Sequence, residues 1–376
     1  MKENTYDETV LILARDRDAA TAVAHQMTAA QRLILTGCDA AVGSLVLSRM
    51  PVSTIVADAG LDGPFSSTVL DLVSEARRRS ADCRVVVTTP ARHNASWCDE
   101  ARRRGATEIV RMPKERRKIL RSGGGDILHI PTLDEIIESE HLLPAFQPIV
   151  NVDGAGNSAH GFESLARFED GALRFCDPQF LFDYARLTGR TAELELACLR
   201  RTLRQARALP RRSKLFINIH PHVLNDGEAL TRTLVGEATD NGVALDDVVL
   251  EITEQEKLDA APQVSETLEE LRAYGVEFAL DDVGIAYSHL DRIECVKPSY
   301  LKISHEFGTD FEKNPTRRKI IGNIVSLARD FECEVVLEGI ETAATSGAAA
   351  EMGAHYAQGF YYARPQHATD LATQPA

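Results

Sequence analysis

The sequence predicts an α/β protein in two parts: an N-terminal doubly wound parallel sheet, then a (β/α)8 barrel whose first strand runs antiparallel to the rest. Three observations lead there. Short apolar runs alternate with amphipathic helical stretches along the chain, the pattern of a parallel sheet covered by helices. From residue 145 onward eight such runs follow one another over about 240 residues, the size of a single barrel. The connection between the first two of these, residues 151–160, is short and carries Asp153-Gly154 and Gly156-Asn157. That is hairpin chemistry, so the first barrel strand must run against the second.

In the N-terminal part the strands are expected at 9–14, 33–36, 53–57, 84–88 and 108–111, with helices at 19–30, 67–79 and 95–104. Residues 121–140 combine Ser122-Gly123-Gly124-Gly125-Asp126 with Pro131 and read as a linker ending in a short helix. The barrel strands are expected at 145–150, 161–168, 215–220, 248–253, 277–283, 300–304, 334–340 and 356–362. Helices at 193–208, 262–274 and 317–331 separate several of them. The expected domains are therefore 1–120 and 141–376, joined by 121–140.

Composition narrows the function. Hydrophobic residues make up 44% and charged residues 26%, ordinary for a globular chain. No run approaches the ~20 apolar residues of a membrane helix, and the N-terminus lacks a secretory signal, so no membrane insertion is expected. Seven scattered cysteines with no C-x-x-C pair suit reduced thiols and a cytoplasmic location. Residues 1–125 hold 19 Lys+Arg against 15 Asp+Glu, net +4, while the rest hold 23 against 41, net -18. So acidic a second part is no binder of long nucleic acid. It can hold a small phosphodiester if cations stand between.

Seven of the eight barrel strands place a polar group in an apolar run: Glu163, Asn218, Glu251, Asp281-Asp282, Lys302, Glu338 and Gln358. A charge in such a strand is costly unless paired or metal-bound, and in a closed barrel all these groups converge on one face. Glu163, Asn218, Glu251, Asp281, Asp282 and Glu338 offer hard oxygen donors without His or Cys, which selects Mg²⁺ or Mn²⁺. Five carboxylates in one pocket need compensating charge, and two divalent ions supply it. Two metals with a nearby lysine suit attack of water on a phosphodiester. His220 and His222, close to Asn218, are read as exposed loop residues rather than ligands.

The N-terminal order of elements resembles a response-regulator receiver domain, with Asp58 at the phospho-acceptor position. The resemblance is degenerate. Ala14-Arg15 replaces the acidic pair after the first strand, with Asp16 one step later, and Met112 replaces the lysine before Pro113, with Lys114 after it. Without the metal pocket and the cation, phosphoryl transfer loses its charge stabilisation. Asp58 is accordingly read as a strand-end carboxylate.

Residues 140–366 resemble the EAL-domain family of cyclic di-GMP phosphodiesterases. The matching stretches are Phe146-Gln147-Pro148-Ile149-Val150, Glu163-Ser164-Leu165-Ala166-Arg167, Phe216-Ile217-Asn218 and Leu250-Glu251-Ile252-Thr253-Glu254. Leu280-Asp281-Asp282, Tyr300-Leu301-Lys302-Ile303, Glu338-Gly339-Ile340-Glu341 and Gln358-Gly359-Phe360 complete them, in order and at fitting spacings. The resemblance implies metal ligands at the six oxygen donors. It also implies that Lys302 orients or deprotonates the attacking water, supported by Gln358, and that Arg167 holds a ligand phosphate. Gln147, Ser164 and Leu165 would line the nucleotide pocket, Glu254 would anchor the loop after its strand, and Glu341 would support the metal shell. The implied product is pGpG, and the implied assembly a homodimer, with a protein partner at the receiver-like domain. The chain departs from the family at Val283, Ile285, Ala286 and His289, where Phe, Thr, Gly and Ser are usual, and at Ser299 and Ser304, where aspartates are common. These departures define the alternative, a weakly catalytic or inactive cyclic di-GMP receptor acting through a protein partner.

Overall fold

A computed structural model describes residues 6–29, 31–63, 66–89, 94–111, 126–139, 142–152, 158–168, 178–253, 262–284 and 289–371. Contacts divide the chain into two units, Met1–His141 with Phe168–Thr191, and Leu142–Arg167 with Ala192–Ala376.

The first unit is built on six parallel strands, β1 (Glu8–Leu13), β2 (Arg32–Gly37), β3 (Thr54–Asp58), β4 (Arg84–Thr89), β5 (Glu108–Arg111) and β6 (Asp126–His129). Their order is β5-β4-β3-β1-β2-β6. Leu11, Ile34, Leu35, Ile55, Val85 and Val87 are fully buried, as expected of strands covered on both faces. Helices Arg17–Met27, Ala40–Arg49, Ser67–Arg79 and Ala95–Arg103 start at side-chain caps from Asp16, Asp39, Ser66 and Asn94.

Two features differ from the sequence expectation. Asp126–His129, inside the stretch expected as a linker, is a strand that pairs with β2 from Leu33↔Asp126 to Thr36↔His129. Its apolar content is two residues, Ile127 and Leu128, too short a run to register as a strand. Helix Ala40–Arg49 was also unread, because Ala40, Val42, Gly43, Leu45, Val46 and Leu47 are all buried. A helix buried on most sides shows no polar face, and so no 3.6-residue period. The unit also claims helix Pro178–Leu187, from a later stretch of the chain. Its Tyr184 hydroxyl donates to Asp39 Oδ2 at 3.0 Å, Asp183 pairs with Arg49 at 2.9 Å, and the Arg49 guanidinium stacks 5.4 Å over Phe180.

The second unit is a closed barrel of β7 (Leu142–Asn151), β8 (Ala159–Phe168), β9 (Lys214–Ile219), β10 (Val248–Thr253), β11 (Glu277–Val283), β12 (Tyr300–Ile303), β13 (Glu334–Leu337) and β14 (Tyr356–Ala357). β7 pairs antiparallel with β14, and β8 to β14 run parallel to one another. The hairpin reading of the first connection thus gave the right strand direction. Among the described residues, no helix is long and apolar enough to cross a membrane.

Ile149, Phe216, Val249, Ala279, Tyr300, Val336 and Tyr356 form one buried cluster. Six of them lie two residues before Asn218, Glu251, Asp281, Lys302, Glu338 and Gln358; on the antiparallel β7, Ile149 lies two after Gln147. Side chains two apart share a strand face. An apolar plug therefore fills the barrel directly beneath the polar ring. His160 joins this plug, stacked on Tyr356 at 3.9 Å between centroids and 3.2 Å from the Tyr300 hydroxyl.

Burial, with Lys214 adding repulsion against the opposing pull of Glu277, lowers the His160 pKa from 6.5 to about 4. The unfolded chain therefore binds the proton first. This contribution is intact above pH 6.5, shrinks as pH falls from 6.5 to about 4, and is constant below. Thermal melts across that window should show the melting temperature of wild type falling more steeply than that of His160→Phe. Parallel curves would show that His160 does not carry this dependence.

Candidate active site and metal centre

Lys302 is the centre of the polar ring. It projects from β12 and is fully buried. Its ammonium lies 2.8 Å from Glu251 Oε1, 2.8 Å from Glu338 Oε1, 3.2 Å from Asp281 Oδ1 and 3.5 Å from Glu163 Oε2. These carboxylates come from β10, the end of β13, β11 and β8. Each reaches the centre because the parallel register sets Glu163 beside Phe216, Glu251 beside Asn218 and Lys302 beside Val336.

Consecutive strand residues face opposite ways, so Asp281 and Asp282 cannot both look inward from a regular strand. The β11–β12 register shifts between Leu280 and Val283, and Asp282 sits at φ +57°. Such a bulge turns a neighbouring side chain to the same face, and Asp is among the residues that tolerate this backbone region.

A hydrogen-bonded chain fixes one side of the ring. The Asn218 amide donates to Glu163 Oε1 at 2.9 Å, and Gln358 Nε2 donates to Glu163 Oε2 at 2.6 Å and to Gln147 Oε1 at 3.1 Å. Gln147 in turn donates to the Ala363 carbonyl at 3.0 Å. The other side is left open. Glu251 Oε2 and Gln358 Oε1 are buried without a hydrogen-bond donor, and Glu251 Oε1 and Asp281 Oδ1 meet only the shared Lys302 ammonium.

Charge balance explains the protonation pattern. Burial would raise Glu163, but Lys302 and the amides of Gln358 and Asn218 outweigh it and hold this carboxyl below its usual range. Glu251 goes well above the carboxylate range through burial and the neighbouring Glu163 and Asp281, which Lys302 only partly offsets. Burial likewise raises Asp281, and lifts Glu338 to about 8. Lys302 loses by burial but gains more from Asp281, Glu163, Glu251 and Glu338, and is held well above the usual lysine range. One ammonium does not balance four carboxylates, so the site must take up protons or further cations. Undonated buried carboxylate oxygens fit hard divalent ions.

A cavity of about 310 Å³ opens onto this ring, lined among others by Gln147, Glu163, Leu165, Asp281, Glu338 and Gln358. Glu341 also lines it, beside Gly359 and Phe360. Two expected pocket residues lie elsewhere. Ser164 faces away from Glu163, as strand alternation requires, and its buried Oγ sits 2.7 Å from Thr202 Oγ1. Arg167 is half-buried at the end of β8, donates to the Ala166 carbonyl at 2.8 Å, and is not part of the cavity lining. Glu254, Ile285, Ala286, Met112 and Lys114 lie outside the described residues. His220 and His222 lie against each other, with ring centroids 5.3 Å apart.

His305 was missed in the sequence. It lines the cavity, and its ring nitrogen lies within 4.8 Å of carboxylate oxygens of both Asp282 and Glu338. The available signal was its place, three residues after Lys302, just past the end of β12.

In the first unit, Asp58 ends β3 and is 8% exposed. The Arg15 guanidinium donates to its Oδ2 at 3.1 Å and the Gly60 amide to its Oδ1 at 2.8 Å. Each carboxylate oxygen already has a donor.

Residues 131–365 match the family model described as "EAL domain". The probable cyclic di-GMP phosphodiesterase PdeG of Escherichia coli is 28% identical over 244 residues, 64% of this chain and 47% of that protein. The cyclic di-GMP phosphodiesterase RocR of Pseudomonas aeruginosa is 28% identical over 258 residues, 66% of this chain and 65% of that protein. The chain thus spans about half to two thirds of these relatives' lengths. The Klebsiella pneumoniae BlrP1 structure, a manganese/cy-diGMP complex at pH 6, superposes with a TM-score of 0.55 at 27% identity, covering 61% of this chain and 57% of that one. With the matched segment spanning the barrel and its ring of carboxylates, this chain belongs to the EAL domain family.

Proposed function

We propose that the barrel is a phosphodiesterase that hydrolyses cyclic di-GMP to pGpG with two divalent cations, Mg²⁺ or Mn²⁺. The observation that carries the reading is the ring itself, in which four carboxylates share one ammonium and three of them, Glu163, Asp281 and Glu338, line the cavity. The named relatives support the substrate. Glu163, Asn218, Glu251, Asp281, Asp282 and Glu338 would hold the cations, which when bound polarise the phosphodiester and activate water.

The chain's own groups do the rest. Gln358 is clamped through its Nε2 by Glu163 and Gln147, leaving Oε1 to accept a proton of the attacking water and aim it. Lys302, held as an ammonium by its carboxylates, donates to that water or to a phosphate oxygen, an orienting role. Leu165 and Gln147 wall the nucleotide pocket, and Glu341 lies beside the metal shell. Arg167 exchanges its local carbonyl bond for a ligand phosphate, a stronger, charge-assisted contact.

We also propose that the chain forms a homodimer, and that residues 1–120 form a receiver-like domain that binds a protein partner and is not a phosphorylation switch. The β2-β1-β3-β4-β5 order supports the likeness. The Arg15–Asp58 pair argues against the switch, because a guanidinium stands on the carboxylate that would receive a phosphoryl group.

Purified protein with Mg²⁺ or Mn²⁺ should release pGpG, and Glu163→Gln should lower the rate by at least about 100-fold, the order of loss when a reacting group is misplaced by about 1 Å. Hydrolysis that survives this variant would refute the assigned site; tight binding of cyclic di-GMP with no pGpG under either ion would make the barrel a receptor.

The chain has one tryptophan, Trp97, on helix Ala95–Arg103 of the first unit. Its fluorescence should stay constant when Mg²⁺ and beryllofluoride are added, and acetyl phosphate should leave Asp58 unlabelled. A saturable fluorescence change that Asp58→Asn abolishes would restore the phosphorylation switch.

A further inference from the structure

We infer that His305 is a nitrogen ligand of one divalent cation, shared with Asp282 and Glu338, and that it makes this position select manganese-class transition ions over magnesium. The inference deepens the phosphodiesterase reading and rests on it for the second ion.

The three ligand atoms come from three different strand ends and lie within 4.8 Å of one another. Donors about 2.0–2.2 Å from a common ion span a little over 4 Å, so only a small closure brings all three onto one. Packing sets this spacing. His305 begins the short helix His305–Gly308, which lies directly on the backbone of Glu338 and Gly339. A Cβ on Gly308 would stand 1.7 Å from the Glu338 carbonyl oxygen, and one on Gly339 would stand 3.0 Å from His305 Cα. Gly339 is also at φ +72°. Two glycines thus let His305 approach Glu338 closely, and the β11 bulge brings Asp282 to the same place.

A second observation points to a cation here. In the adjoining ring Glu251 is fully enclosed with its Oε2 lacking any hydrogen-bond donor, and four carboxylates share the single Lys302 ammonium. His305 and Glu338 line the cavity into which that ring opens. Ser304, immediately before His305, is fully buried and adds no charge. The imidazole therefore supplies a donor where the preceding side chain does not.

The donor type decides the ion. Carboxylate and water suit Mg²⁺, whereas an imidazole adds affinity for the first-row transition series. A set of two carboxylates and one imidazole should therefore favour Mn²⁺, and Co²⁺ more strongly, over Mg²⁺.

The test uses the full chain and the bare ions. Calorimetric titrations with MnCl₂ and with MgCl₂ would compare wild type, His305→Ala and, as a control, His222→Ala. His305→Ala should weaken Mn²⁺ binding by about 10-fold or more while changing Mg²⁺ binding far less, and His222→Ala should change neither. Pulsed EPR of bound Mn²⁺ should show a ¹⁴N coupling that His305→Ala removes and His222→Ala keeps. A wild type that binds Mn²⁺ without ¹⁴N coupling, a coupling that persists in His305→Ala, or equal losses for both ions would overturn the assignment. Failure of the phosphodiesterase reading looks different: wild type would show the coupling yet release no pGpG.

Discussion

The site depends on one buried ammonium. Lys302 is enclosed completely, and its charge is tolerated only because Glu163, Glu251, Asp281 and Glu338 surround it within 3.5 Å. Breaking a buried charge cluster by removing one partner typically costs about 3–5 kcal/mol. Here the loss would be shared by carboxylates from four strands, since Lys302 is their one cation within 4 Å among the described residues. The requirement that four strands deliver a carboxylate to one point fixes much else. It demands the register that aligns Glu251 with Asn218, the bulge at Asp282, and the glycines that let the helix after β12 lie on Glu338.

That concentration of charge is supported from below. The apolar layer of Phe216, Val249, Tyr300, Val336 and Tyr356 sits two residues deeper on the same strands, so each strand carries one residue for stability and one for chemistry. The division keeps water out of the barrel floor and lowers the local dielectric beneath the ring, which strengthens every pairing above it. It also makes the imbalance of charge harder to relieve by solvent. The chain can offset it by protonating Glu251, Asp281 and Glu338, whose carboxyls are raised, or by recruiting cations.

Much of this was legible in the residues, and the exceptions have physical causes. A polar residue in an apolar run is visible without coordinates, so Glu163, Glu251, Lys302 and Glu338 were readable as convergent. Strand period alone separates Glu163 from Ser164, yet the resemblance grouped Ser164 with Leu165 in the pocket; the structure turns it to Thr202. The bulge was not legible, because adjacent aspartates look the same in a regular strand and in a broken one. His305 was hidden for another reason: it lies just outside β12, in a helix whose position depends on Gly308 and Gly339 meeting a distant strand end. In the first unit, β6 was too short to show periodicity and helix Ala40–Arg49 too buried to show a polar face.

Asp58 and the carboxylate ring of the barrel both lie at strand ends, and their charge balance separates them. In the first unit a single carboxylate, Asp58, meets a guanidinium and a backbone amide, one donor for each oxygen. Nothing there calls for an added ion, and a divalent cation would have to displace Arg15 against its own repulsion. In the barrel, four carboxylates share one ammonium, and Glu251 Oε2 is buried with no donor at all. The same residue type at the same kind of strand end is satisfied in one place and left in excess in the other. Electrostatics alone then directs divalent ions to the barrel. Arg15 closes the first site as effectively as the crowding of Glu251, Asp281 and Glu338 opens the second.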